Sequence, residues 1–111
     1  RGLMAGPAAP PAAKSPAAAG LAGPLSRTVK ITNQRGLHAR AAARFVKLAE
    51  QFHATVGVIR NDVQVSGLSI TGLMMLSAGP GSEIEIRTQG SDAEVALEAL
   101  AALVESGFDE T

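Results

Sequence analysis

The sequence predicts an α+β fold: a two-layer open-faced β-sandwich, in which three helices cover one face of a four-stranded antiparallel sheet. Three observations lead there. Segments with the period-2 alternation of strands and segments with the 3.6-residue period of helices follow one another in the order β-α-β-β-α-β-α. The second and third strand segments are joined by only Asn61-Asp62, which demands an antiparallel hairpin. The helical segments carry apolar stripes, so they must lie against the sheet, and together they cover one of its faces.

Taken in order, residues 1–25 are mostly Ala, Pro and Gly and hold five of the six prolines, Pro7, Pro10, Pro11, Pro16 and Pro24. They show neither period and cannot bury enough surface to offset the entropy of ordering, so they read as a disordered leader. Their longest apolar run, Ala17 to Ala22, is too short and too alanine-rich for an export signal or a membrane span. The folding body is therefore 26–111, long enough to fold without staples. Arg27–Thr32 alternates polar and apolar residues and predicts the first strand. From Ala39 the apolar positions Ala42, Phe45, Val46, Ala49 and Phe52 trace one helix face. Thr55–Arg60 and Val63–Ser66 form the hairpin, and Gly67 ends it. Ser69 can cap a short helix through Ile70, Leu73, Met74 and Leu76. Gly79-Pro80-Gly81 turns the chain into the strand Glu83–Thr88, with Ile84 and Ile86 facing inward. Ser91-Asp92-Ala93-Glu94 matches a capping box and opens a helix with Val95, Ala96, Ala99, Leu100 and Leu103 apolar, which Gly107 stops.

There are no cysteines, so neither a disulfide framework nor a thiolate metal site is expected. With no export signal, a cytoplasmic location is the default expectation. The formal net charge is zero, yet residues 1–60 hold nine Lys/Arg against Glu50 alone, and residues 61–111 hold nine acids against Arg87 alone. Arg35, Arg40, Arg44 and Lys47 all lie within nine positions of His38, which makes its surroundings cationic. Such a basic helix could serve a small RNA- or ribosome-binding α+β domain. That alternative calls for exposed aromatics and a basic total charge, whereas the chain has three Phe, no Tyr or Trp and a pI near 6.9. No nucleic-acid partner is expected.

His38 stands where a turn becomes a helix. Gly36 supplies the turn, and the amides of Ala39 and Arg40 in the first helical turn can point at an anion. Imidazole is a nucleophile near neutral pH, and Arg40 can add a charge-assisted contact. An ordinary helix-start histidine fits the same residues, so the local pattern leaves both readings open. His53, at the end of the first helix, reads as a surface or capping residue. A metal site built from the two histidines has no carboxylate or thiol pattern to complete it.

Gly36-Leu37-His38-Ala39-Arg40-Ala41-Ala42-Ala43-Arg44-Phe45-Val46 resembles the active-site signature of HPr, the histidine-containing phosphocarrier family of the bacterial phosphotransferase system. Ser69-Ile70-Thr71-Gly72-Leu73-Met74-Met75-Leu76 resembles the family's regulatory-serine helix, and the likeness runs from Thr28 to about Phe108. The resemblance implies that His38 is phosphorylated through Nδ1, with Arg40 contacting the phosphate and Ala39 offering its backbone N–H. It implies enzyme I as donor and an enzyme IIA-type domain as acceptor, the chain being a monomeric carrier that enzymes act on more than a catalyst. No cofactor is expected. Ser69 is the candidate site for an HPr kinase/phosphorylase. Arg40, Ala43, Arg44, Lys47, Ile70, Thr71 and Met74 would form the docking surface. The departure is Ala41, where the family usually has proline; alanine loses a rigid φ but is the best helix former. Ile31-Thr32-Asn33 and Gly107-Phe108-Asp109-Glu110 look closer to the nitrogen-related branch, and the Ser69 helix to the sugar branch.

Overall fold

The computed structural model describes residues 24–109, so the leader expected over 1–25 lies outside the described residues except for Pro24 and Leu25. Seven elements follow in the expected order: β1 Leu25–Lys30, α1 Ala39–Ala49, β2 Thr55–Arg60, β3 Val63–Ser66, α2 Ile70–Met75, β4 Glu83–Gln89 and α3 Ala93–Glu105. The strands form one antiparallel sheet in the order β1-β4-β2-β3, an α+β open-faced sandwich with its helices on one face. The register places Val29, Ile84, Ile86, Val56 and Val58 on the helix-facing side, and all are buried. Asn61 (φ 53) and Asp62 (φ 67) are both left-handed, the geometry of a two-residue turn whose twist matches the strands on either side.

β1 begins at Leu25, inside the segment assigned to the leader, and stops at Lys30 instead of Thr32. Ile31 leaves the ladder because its N–H donates to the Ser82 carbonyl (2.8 Å) and its carbonyl accepts from the Gly81 N–H (2.8 Å). It remains fully buried, so the chain exits the sheet without leaving the core. In α1 the predicted stripe Ala42, Phe45, Val46 and Ala49 is buried, but Phe52 lies past the helix end and is only half-buried.

α3 corrects the predicted cap. Its N-cap is Asp92, and no side chain caps the helix. Asp92 Oδ2 accepts the His53 backbone N–H (2.8 Å) and Ser91 Oγ donates to the His53 carbonyl (3.4 Å), so both side chains clamp the chain end beyond α1. Val95 is exposed and not core. The buried stripe is Ala93, Ala96, Leu97, Leu100, Ala101 and Val104, and Val95 stands about 200° around the helix from Ala93. At the far end Gly107 (φ 75) allows the Gly107 N–H to reach the Val104 carbonyl (3.0 Å) and the Phe108 N–H to reach that of Leu103 (2.9 Å). This Schellman closure turns Phe108 back into the core, where it is fully buried.

Candidate functional site

His38 is the N-cap residue of α1. Its backbone is extended (φ −79, ψ −179), and its carbonyl accepts the first helical bond from the Ala42 N–H at 2.9 Å. The amides of Ala39, Arg40 and Ala41 therefore lie outside the helical ladder, at the positive end of the helix dipole. No acidic residue occupies the first turn and no side chain caps it. Such an end favours an anion. Ala41 is the third helical residue and fully buried, and the helix starts at Ala39 without a proline.

The loop before His38 is fixed by backbone and amide contacts. Gly36 (φ 64) presses so closely on the turn below that a Cβ there would fall 2.2 Å from the Ala78 carbonyl oxygen. Leu37 N–H donates to that same oxygen at 2.9 Å. Asn33, itself buried, donates from Nδ2 to the Gly36 carbonyl (2.9 Å), and His38 Nδ1 lies 3.1 Å from the same acceptor. A carbonyl only accepts, so this contact belongs to the tautomer with its proton on Nδ1. Nε2 is buried.

The cations predicted around His38 divide into two kinds. Arg35, Arg40 and Lys47 are exposed, and the Arg40 side chain has no hydrogen bond or ion pair with any described residue. Arg44 is half-buried and donates from Nη1 to the Phe108 carbonyl, which ties α1 to the closure of α3. Ala43 is exposed on α1.

α2, packed beside α1, carries the second predicted group. Ser69 is its N-cap, and Ser69 Oγ accepts the Gly72 N–H at 2.9 Å. Leu73 and Leu76 are buried, while Thr71, Ile70, Met74 and Met75 are exposed, Met75 to 74%. A short helix has only one inward stripe, so its remaining apolar residues form an outward patch. His53 is exposed. Among the described residues no three His or carboxylate side chains are grouped to hold a metal ion. A shallow concavity on the open sheet face, lined by Gly57, Gln64, Ser66 and Arg87, lies by Pro24 at the other end of β1 from His38.

Sequence reasoning assigns no role to Asn33 or Ala78. Asn33 carries a usable signal, an Asn three residues ahead of a turn glycine. Ala78 carries none, because it acts through its backbone carbonyl.

Comparison with known proteins bears on what this site serves. Residues 25–106 match the family model described as "PTS HPr component phosphorylation site". The chain belongs to the HPr family. It is 45% identical to the phosphocarrier protein HPr of Neisseria meningitidis over 86 residues, covering 78% of this chain and 97% of that relative. It is also 43% identical over 86 residues to the phosphocarrier protein NPr of Shewanella violacea, covering 78% of this chain and 94% of the relative. The crystal structure of an HPr from Bacillus anthracis aligns with a TM-score of 0.72 at 46% identity, covering 75% of this chain and 99% of that one. This HPr-family chain is thus a phosphocarrier of the phosphotransferase system with the family's open-faced sandwich. Among its described residues no helix is long and apolar enough to cross a membrane.

Proposed function

We propose that His38 is the residue that carries the phosphoryl group, taking it from enzyme I and yielding it to an enzyme IIA-type domain. The observation that carries this reading is the α1 start: an imidazole beside the amides of the exposed residues Ala39 and Arg40, outside the helical ladder, with no acid in the first turn. The exposed guanidinium of Arg40, two residues on, is the cation available to the bound phosphate. Arg44, tied to Phe108, serves the surface by anchoring α1 and not as a mobile cation.

The attacking nitrogen needs a lone pair. In the resting geometry Nδ1 donates to Gly36 and Nε2 is buried, so attack through Nδ1 requires the ring to release the Gly36 carbonyl and carry its proton on Nε2. From that neutral tautomer the Nδ1–P bond forms as the bond between phosphorus and the donor breaks. The ring loses no proton. The amides of Ala39 and Arg40, with the Arg40 guanidinium, then stabilise the dianionic group without a covalent hold, which suits onward transfer.

Ile70, Thr71 and Met74 beside Ala43 and Lys47 form the docking surface for both partners, and thioether side chains adapt to more than one surface. Phosphorylation of Ser69 by an HPr kinase/phosphorylase places about −1.5 to −2 charges beside this apolar patch and hinders docking there. The chain acts in the cytoplasm as a monomer, in a regulatory, nitrogen-related branch of the system or in a sugar branch.

Incubation with enzyme I and labelled phosphoenolpyruvate tests the reading. Acid-labile, alkali-stable label that disappears in His38→Ala supports it, and an unlabelled wild-type chain beside an active enzyme I overturns it. Acid-stable label from ATP and a cognate kinase, lost in Ser69→Ala, tests the second site separately.

A further inference from the structure

Arg60 is an arginine in a place the strand pattern reserves for apolar side chains. Val56 and Val58 point into the helix layer, and alternation puts Arg60 on the same side. It is half-buried, and among the described residues it forms no ion pair. Its guanidinium instead spans the two ends of one turn. Nη1 donates to the Leu76 carbonyl at 3.0 Å, where α2 ends, and Nη2 donates to Ser82 Oγ at 3.4 Å, where the chain approaches β4. A planar fork with fixed donor spacing suits this bridging better than an ammonium does.

The bridged turn, residues 76–82, is the one that supports His38. Ala78 in its middle accepts the Leu37 N–H and meets the Cα side of Gly36, while Ser82 and Gly81 pair with Ile31. Gly36 in turn offers its carbonyl to His38 Nδ1. The links run through Leu76, Ala78, Gly36 and Leu37, all buried, and through half-buried Ser82 and His38, so a shift at the ends of the turn is passed to the imidazole.

We propose that Arg60 is a positioning residue for His38: by clipping Leu76 to Ser82 it fixes the turn that sets the Gly36 carbonyl, and through it the tautomer and orientation of the ring. This rests on the reading of His38 as the phosphoryl acceptor, but its first test needs no transfer. In the full chain, Arg60→Ala is expected to speed hydrogen exchange at the Leu37 amide about tenfold, the equivalent of one lost hydrogen bond from a charged donor. The Val58 and Ile86 amides in the sheet should change less. Nitrogen chemical shifts of the His38 ring should move from the Nδ1–H towards the Nε2–H form. Phosphoryl transfer from enzyme I should show an altered rate constant with KM held. Arg60→Lys, which can reach one acceptor but not both, should fall between the two, and Ser82→Ala should shift the same signals by less.

Exchange rising equally at all amides with unchanged ring shifts would reduce Arg60 to a general stabiliser and overturn the proposal. So would unchanged Leu37 exchange. Should wild-type chain accept no phosphoryl group while Arg60→Ala still moves the ring shifts, the acceptor reading fails and the positioning stands.

Discussion

α1 and α2 both begin with a polar residue in extended conformation, and they use it in opposite ways. At α2 the cap is closed from within, because Ser69 Oγ takes the Gly72 N–H at 2.9 Å. At α1 the cap residue is His38, whose ring faces back to Gly36 and does not cap the helix, so the amides of Ala39 and Arg40 stay available. A helix end that satisfies itself is a structural device, and one that leaves its donors unfilled is suited to a charged ligand. The supports differ as well. The α1 start is held by contacts from a distant turn, whereas the α2 start is held by its own hydroxyl three residues away.

Substitutions can break or sharpen this contrast. The largest effect belongs to His38→Ala, which should abolish enzyme I-dependent labelling while far-UV circular dichroism stays unchanged. Next, Gly36→Ala combines a left-handed φ with a contact against backbone that cannot yield, and should cost roughly 3 kcal/mol or more. For a domain this small that corresponds to a Tm fall of about 15 °C in calorimetry. Gly81→Ala is the control. It shares a positive φ but meets nothing within 4 Å, and should cost about 1 kcal/mol.

Arg40→Ala should leave Tm unchanged and slow transfer about tenfold or more, in line with loss of one charge-assisted contact. Wild-type transfer rates in that variant would remove Arg40 from the site. Ser69→Ala should do the reverse, lowering stability by about 1 kcal/mol, a Tm shift of roughly 4–8 °C, while labelling at His38 persists. Met74→Ser on the exposed face should change stability by no more than about 0.5 kcal/mol in denaturant titration. Its signature is a raised KM for enzyme I with kcat held, because it removes apolar docking area from both reacting states alike.

Much of the fold is legible because its signals are local. Alternation in Glu83–Thr88, the helical stripe through Phe45 and Val46, and the Asn61-Asp62 turn each need only a handful of neighbouring residues to be read. The candidate site is legible for the same reason, since Gly36, His38 and Arg40 lie within five consecutive residues at a turn-to-helix junction. Misreadings cluster where a side chain has two competing uses. Ser91 and Asp92 satisfy a capping pattern within their own helix, yet both are drawn to His53, 39 residues from Asp92 in the chain. A long-range partner is equally invisible for Arg44, whose guanidinium Phe108, 64 residues away, engages without removing it from the basic run around His38. Val95 is as apolar as its neighbours and still faces water, because composition does not say which side of α3 meets the sheet.

By itself, the sequence determined the order of elements, the turn that needs left-handed residues, and a histidine at the head of an amphipathic helix. Those are consequences of side-chain period and backbone sterics over a few residues. Only the tertiary structure decided that the Ala78 carbonyl seats Leu37 and leaves no room for a side chain at Gly36, and that Arg60 bridges Leu76 to Ser82. It also decided that the His38 ring rests with Nδ1 against Gly36. The supporting contacts rest on backbone carbonyls, a buried amide and one misplaced-looking arginine. A carbonyl is the same at every residue, so no pattern of residue types can announce which one will be used.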